Sequence, residues 1–135
     1  MLVVLDTNVV VSGLLNESGN PGKVIDLVLE NRFQVAYDNR ILGEYEDVLP
    51  CPELCIRPVR ARVVIAFIEL TGLYIDAVAM SADGFQYLDD LPLAEVFITA
   101  NAQALVTSNL RHFSFLVERG LVVYNPAQFL ERFFP

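Results

Sequence analysis

The chain has little of what metal- and nucleotide-handling proteins commonly use. There are two cysteines, Cys51 and Cys55, and one histidine, His112. Two thiols in Cys-Pro-Glu-Leu-Cys, with the histidine far away in sequence, do not complete a four-ligand zinc site. They read as reduced, structural cysteines. The only lysine is Lys23. A receiver-type phosphoacceptor domain needs a lysine late in its sheet to pair the phosphorylated aspartate, and none stands there. From Asp6 to Gly13 the only glycine is Gly13, so the Gly-rich first turn of a Rossmann or P-loop nucleotide-binding protein is missing. No apolar run reaches the roughly 18 residues of a membrane span. The N-terminus lacks the basic flank of a signal peptide, and a cytoplasmic protein is the expectation. There is no internal repeat, linker or low-complexity tract.

Basic residues are also scarce: 9 Lys and Arg stand against 17 Asp and Glu, for a net charge of −8. That balance argues against a nucleic-acid binder working through a basic face. It leaves room for a metal-dependent nuclease, in which clustered carboxylates hold cations and the cations meet the phosphates. It is equally compatible with a basic protein partner. The 54% apolar content and mean hydropathy of +0.45 exclude a disordered chain. The 135 residues suit one domain with a core of ordinary size.

The chain opens on Leu2 to Leu5, continuously apolar and half β-branched, which is how a strand buried on both faces of a parallel sheet reads. The run stops at Asp6, a charge at the carboxyl end of the strand, where ligands bind in open α/β sheets. Asp6 taken alone is also compatible with a turn residue or a helix N-cap. Val9 to Leu15 continue apolar, and Asn16 to Gly22 read as a loop. A helix follows over Gly22 to Asn31, then a strand at Phe33 to Tyr37. Asp38 or Asn39 can cap the next helix, which runs to about Leu49. Pro58 starts another, with Gly72 as its end, and Leu73 to Val78 read as a strand. After a polar and aromatic loop, Pro92 marks a helix to about Asn101. Ala104 to Thr107 form a buried strand, Phe113 to Arg119 a brief helix, Leu121 to Tyr124 a strand, and Pro126 opens a final helix. The order β-α-β-α-α-β-α-β-α-β-α implies a mainly parallel sheet with helices on both faces.

Such a sheet can gather four polar positions. Asp6 ends the first strand, Glu44 sits in the helix after the second, Asp90 stands at the start of the helix near Leu91, and Asn109 follows the strand ending at Thr107. Three carboxylates without a Lys or Arg partner repel one another, and clustering them calls for a cation. Oxygen ligands favour Mg²⁺ or Mn²⁺ over zinc. Individually, Glu44 also reads as a solvated helix residue, Asp90 as an N-cap and Asn109 as a turn residue. Their coincidence is the signal.

Taken in order, these motifs resemble those of PIN-domain nucleases. Val4-Leu5-Asp6-Thr7-Asn8-Val9-Val10-Val11-Ser12 looks like the family's opening. Ile41-Leu42-Gly43-Glu44-Tyr45 looks like its second acidic motif and Asp89-Asp90-Leu91-Pro92-Leu93-Ala94-Glu95-Val96 like its third. Ala104 to Phe113 looks like the fourth, and Val122 to Leu130 like the closing strand and helix. The resemblance covers nearly the whole chain as one PIN-like domain, residues 1–135. It is strongest to a bacterial branch of toxins from toxin–antitoxin pairs, related to VapC-like proteins.

The resemblance implies a three-layer α/β/α sandwich around a mainly parallel sheet. It implies a Mg²⁺- or Mn²⁺-dependent ribonuclease cutting single-stranded RNA with water to leave a 3′-hydroxyl and a 5′-phosphate. Asp6, Glu44 and Asp90 would be metal ligands, with Asn109 completing the catalytic set. Asn8 and Thr107 would orient them, with Ser12 nearby. Asn109 stands where many relatives have Asp, which bears on the number of metals and on rate. Asp89 replaces Asp90 if the register shifts by one, and Glu95 is a spare carboxylate. A small basic antitoxin is the implied partner. The apolar stretches Val9–Leu15 and Phe133–Phe134 offer a homodimer surface or simply core. The competing reading is a PIN-like domain of little catalytic power that serves as a protein-binding module.

Overall fold

The computed structural model describes all 135 residues. Five parallel strands form the sheet in the order β3-β2-β1-β4-β5. They are β1 (Leu2–Leu5), β2 (Gln34–Tyr37), β3 (Leu73–Tyr74), β4 (Ala104–Val106) and β5 (Val123–Tyr124). Seven α-helices connect and cover them: α1 (Thr7–Leu15), α2 (Asn20–Leu29), α3 (Asn39–Val48), α4 (Pro58–Thr71), α5 (Leu91–Ala100), α6 (Ser114–Glu118) and α7 (Pro126–Phe133). This is the α/β sandwich expected from the sequence, with the sheet parallel throughout. A single apolar cluster runs from β1 to α7 and includes Val3, Val4, Leu5, Ile25, Tyr45, Leu105 and Phe129. No helix is long and apolar enough to cross a membrane.

The strand order matters for function. From β1 the chain builds outward through β2 and β3, then returns to the other side of β1 to lay down β4 and β5. The crevice at the carboxyl ends of β1 and β4 is therefore the topological switch point, where open α/β sheets bind ligands. Leu5 pairs with Val106, so the next residues, Asp6 and Thr107, emerge side by side into that crevice.

Several boundaries differ from the sequence reading. The apolar run after β1 is a helix, α1, that begins at Thr7 with no intervening loop. Val9, Val10, Gly13 and Leu14 face the core, so most of this stretch is interior and not a dimer surface; Leu15 alone is well exposed. Gly13 is demanded by the packing, because a Cβ there would lie 2.5 Å from Ile25 and 2.7 Å from the Pro21 carbonyl oxygen. Phe133 and Phe134 likewise turn inward, ringed by Phe33, Tyr124 and Phe129.

β3 is only Leu73–Tyr74 and is exposed. Beyond it the chain leaves the sheet, tied down by Val78 N–H donating to Thr99 Oγ1 and Met80 N–H donating to Glu95 Oε2. The brief helix expected over Phe113 to Arg119 is split into a 3-10 turn at Leu110–Phe113 and α6. The last strand contracts to Val123–Tyr124.

Candidate active site

Asp6 occupies the N-cap position of α1, but its side chain makes no capping bond. It is buried and turned instead toward β4. Its Oδ2 accepts from Thr107 Oγ1 at 2.8 Å and from Asn8 Nδ2 at 3.2 Å. Asn8 Oδ1 in turn accepts the Ser108 N–H at 3.2 Å, and Thr107 Oγ1 accepts the Asn109 N–H at 3.0 Å. The ends of β1 and β4 are thus stitched together through Asp6.

Glu44 arrives on α3, whose start is set by Asp38. That buried carboxylate accepts the Arg40 and Ile41 N–H groups at 3.0 Å each. The helix is pinned to β1 by Glu44's neighbour, Tyr45, which is fully buried and donates its hydroxyl to the Leu5 carbonyl oxygen. With Tyr45 inward, Glu44 is exposed at the rim of the crevice. Asp90 ends a 3-10 turn, Leu88–Asp90, directly before α5, and is buried. Asp89, the alternative in register, is exposed and lies outside the pocket wall.

Asp6, Asn8, Ser12, Glu44, Asp90 and Asn109 line one pocket of about 410 Å³, together with Thr7, Val11, Val48, Leu54 and His112. No lysine or arginine is among them. A larger cleft, about 460 Å³, lies between α2 and α7. Its carboxylates, Asp26, Glu30 and Glu131, are all exposed on helix surfaces, so it lacks the desolvated groups that mark chemistry.

Burial pushes the Asp6 carboxyl above the usual carboxylate range; the Thr107 hydrogen bond opposes this, and the charges of Asp90 and Glu44 add to it. Burial likewise raises Asp90, with His112 opposing and Asp89 and Glu44 adding. Both shifts have the same meaning: these carboxylates are held where ionisation is costly until positive charge arrives.

The histidine was missed by sequence reasoning as part of this site. His112 Nδ1 stands 3.0 Å from Asp90 Oδ2. That oxygen is wholly buried, and the His112 contact offsets part of the cost of its charge. The His112 ring stacks on Tyr87 with centroids 4.2 Å apart. The available signal was position alone, since His112 follows the Asn109 motif by three residues. Glu95, the spare carboxylate, faces away from the pocket. It is buried against Arg40 Nη1 at 2.7 Å and fixes the chain at Met80.

The donor set suits a hard divalent cation: three carboxylates and an amide oxygen, two of the acids desolvated. No three of the carboxylates, histidine or cysteines close on a single point as a ready-made ligand set.

A chain in the crystal structure of VapBC2 from Rickettsia felis, bound to a DNA fragment from their promoter, superimposes with a TM-score of 0.59. The match covers 93% of this chain and 98% of that one at 19% identity, and shows a common fold. A stretch of 31 residues is 53% identical to the uncharacterized protein MJ1680 of Methanocaldococcus jannaschii, spanning 23% of this chain and 20% of that protein's length. The family model described as PIN domain matches residues 2–111, from β1 through the turn after β4, and the chain belongs to that family.

Proposed function

We propose that this PIN-domain protein is a divalent-metal-dependent endoribonuclease that hydrolyses single-stranded RNA, acting in the cytoplasm as the toxin of a toxin–antitoxin pair. One observation carries the reading. Asp6, Glu44, Asp90 and Asn109, from four separate segments, line a single pocket at the switch point with no Lys or Arg to neutralise them.

Asp6, Glu44 and Asp90 are the residues to hold Mg²⁺ or Mn²⁺. When bound, such an ion supplies positive charge to the phosphoryl oxygens and makes its water a nucleophile at neutral pH. The protein's own part is positioning. Thr107 and Asn8 fix Asp6 Oδ2 and so hold the carboxylate in the pocket wall. Val11, Val48 and Leu54 form an apolar wall that lowers the local dielectric and strengthens every charge interaction there. Asn109 presents an amide oxygen without charge, so the ionised site carries −3 and suits one tightly held ion better than two. Ser12 adds a hydroxyl at the edge, and Asp89 is a neighbouring charge outside the wall.

The net charge of −8 supports a small basic antitoxin as partner. A homodimer loses the support of the two apolar stretches that fold inward. A second reading, a weakly catalytic module that binds a basic protein, draws on the same charge and on Asn109 in place of a fourth acid.

The deciding assay is cleavage of a labelled single-stranded RNA with Mg²⁺ or Mn²⁺. Activity should vanish in EDTA and fall at least tenfold in Asp6→Asn, about 1.4 kcal/mol in the barrier. Cleavage that persists in EDTA or survives Asp6→Asn would overturn the mechanism. No cleavage with tight binding of a basic partner would favour the second reading.

A further inference from the structure

Beside the acidic pocket lies a smaller cleft of about 250 Å³, walled by Ser108, Asn109, Leu110, Arg111, His112 and Asn125. The two share Asn109 and His112, so one runs into the other along the carboxyl edge of β4. Its chemistry is the reverse of its neighbour's. Each of the other three sizeable clefts has carboxylates in its wall, and this one has none. In a chain with 17 acids and 9 Lys and Arg, a carboxylate-free cleft containing an arginine is a marked departure.

The polar groups here are also uncommitted. Arg111 is exposed, has no carboxylate within 4 Å and stacks on no aromatic ring. Asn125 uses its Oδ1 to cap α7 by accepting the Gln128 N–H at 2.8 Å, which leaves its Nδ2 free to donate. The Asn109 side chain makes no hydrogen bond within the protein; only its backbone N–H and carbonyl are used. A guanidinium and two amide groups therefore offer N–H donors into a space next to the acids. Such a set is complementary to a phosphate and a ribose, and not to a cation.

We propose that this cleft binds the backbone phosphate of the nucleotide next to the scissile bond of a single-stranded RNA, with Arg111 as its cation and Asn109 and Asn125 as further donors. The proposal rests on the RNA-cleavage reading above. The adjoining pocket handles the scissile phosphate with metal, and Arg111 handles the next one without it. This gives an acidic protein a local grip on a polyanion and sets the strand's path across the sheet edge.

The test is fluorescence anisotropy with labelled oligouridine and oligoadenosine, in an Asp6→Asn background that keeps the RNA intact. Arg111→Gln should weaken binding of both oligomers roughly five- to tenfold at low salt. It should also reduce the slope of log affinity against log salt by about 0.7, the value for one single-strand phosphate contact. Arg111→Lys should keep the slope. Arg132→Gln, at the far end of α7 over Phe133, should leave binding unchanged. The Arg111 variants should unfold at the temperature of their Asp6→Asn parent, since Arg111 is exposed. If wild type cleaves RNA while Arg111→Gln keeps full affinity and slope, the subsite is wrong and the nuclease reading stands. Arg111-dependent binding without cleavage by wild type would support the subsite and remove the nuclease reading. Absence of both binding and cleavage overturns both.

Discussion

Tyr45→Phe deletes one oxygen atom from the contact that joins α3 to the end of β1. Burial, with Asp6 and Glu44 nearby, pushes the Tyr45 phenol well up, so the hydroxyl stays protonated and remains a donor to the Leu5 carbonyl oxygen. The substitution preserves the ring and its packing, so the loss is polar. A buried carbonyl deprived of a donor costs about 1–3 kcal/mol. For 135 residues, an unfolding entropy of about 2.1 cal/mol/K per residue gives roughly 0.28 kcal/mol per degree. Tm should therefore fall by about 4–11 °C, read by circular dichroism or calorimetry. Glu44, the next residue, should lose its fixed approach to the pocket. Mn²⁺ affinity should drop at least tenfold, as for loss of a group that supports a metal ligand. A Tm unchanged within about 1 °C would show that the hydroxyl's desolvation cancels its bond and would refute this account of how α3 is held. A lower Tm with unchanged Mn²⁺ affinity would confine the contact to stability.

Three further outcomes are expected. Because the folded Asp6 pKa is raised, its ionised form opposes folding. The stability contributed by the protonated form is complete below the unfolded value of 3.8 and is lost as pH rises through the folded pKa. In EDTA, Asp6→Asn should raise the urea midpoint at neutral pH, and the gain should shrink on acidification; a gain independent of pH would contradict this. Gly43→Ala meets nothing within 4 Å in mid-helix and should stabilise by up to about 1 kcal/mol. Gly72→Ala, whose Cβ would lie 2.5 Å from the Val35 and Ile68 carbonyl oxygens, should cost about 1–3 kcal/mol; equal effects in denaturant titrations would refute the packing argument. Asn109→Asp takes the site from −3 to −4 and should bind Mn²⁺ more tightly by calorimetric titration, whereas equal affinities would place residue 109 outside the ligand shell.

What was legible in the sequence was whatever leaves a periodic or terminal mark. The β1 run ending at Asp6, the proline starts of α4, α5 and α7, and the alternation of elements were readable because burial on both faces and helix caps each have a local signature. α1 was hidden. Its three consecutive valines, Val9 to Val11, have the β-branched composition of a strand, and tertiary packing against α2 overrides that propensity. β3 was overextended because Leu73 to Val78 is apolar but for Asp76, while only two residues find pairing partners on β2. Within the site, Asp6, Glu44, Asp90 and Asn109 could be named because each sits at an element end or beside an apolar stripe. The His112 contact with Asp90, the Tyr45 hydroxyl on Leu5 and the Arg40–Glu95 pair join residues distant in sequence and leave no local mark.

The central claim is that the acids at the switch point hold a catalytic cation. It is tested most directly by a crystal structure of the protein soaked in Mn²⁺, with anomalous diffraction to locate the ion. An anomalous peak is expected in the pocket, about 2.0–2.6 Å from a carboxylate oxygen of Asp6, with Glu44 and Asp90 bound directly or through the ion's waters. Saturating Mn²⁺ that leaves no peak among Asp6, Glu44 and Asp90, or that collects elsewhere on the acidic surface, would contradict the account.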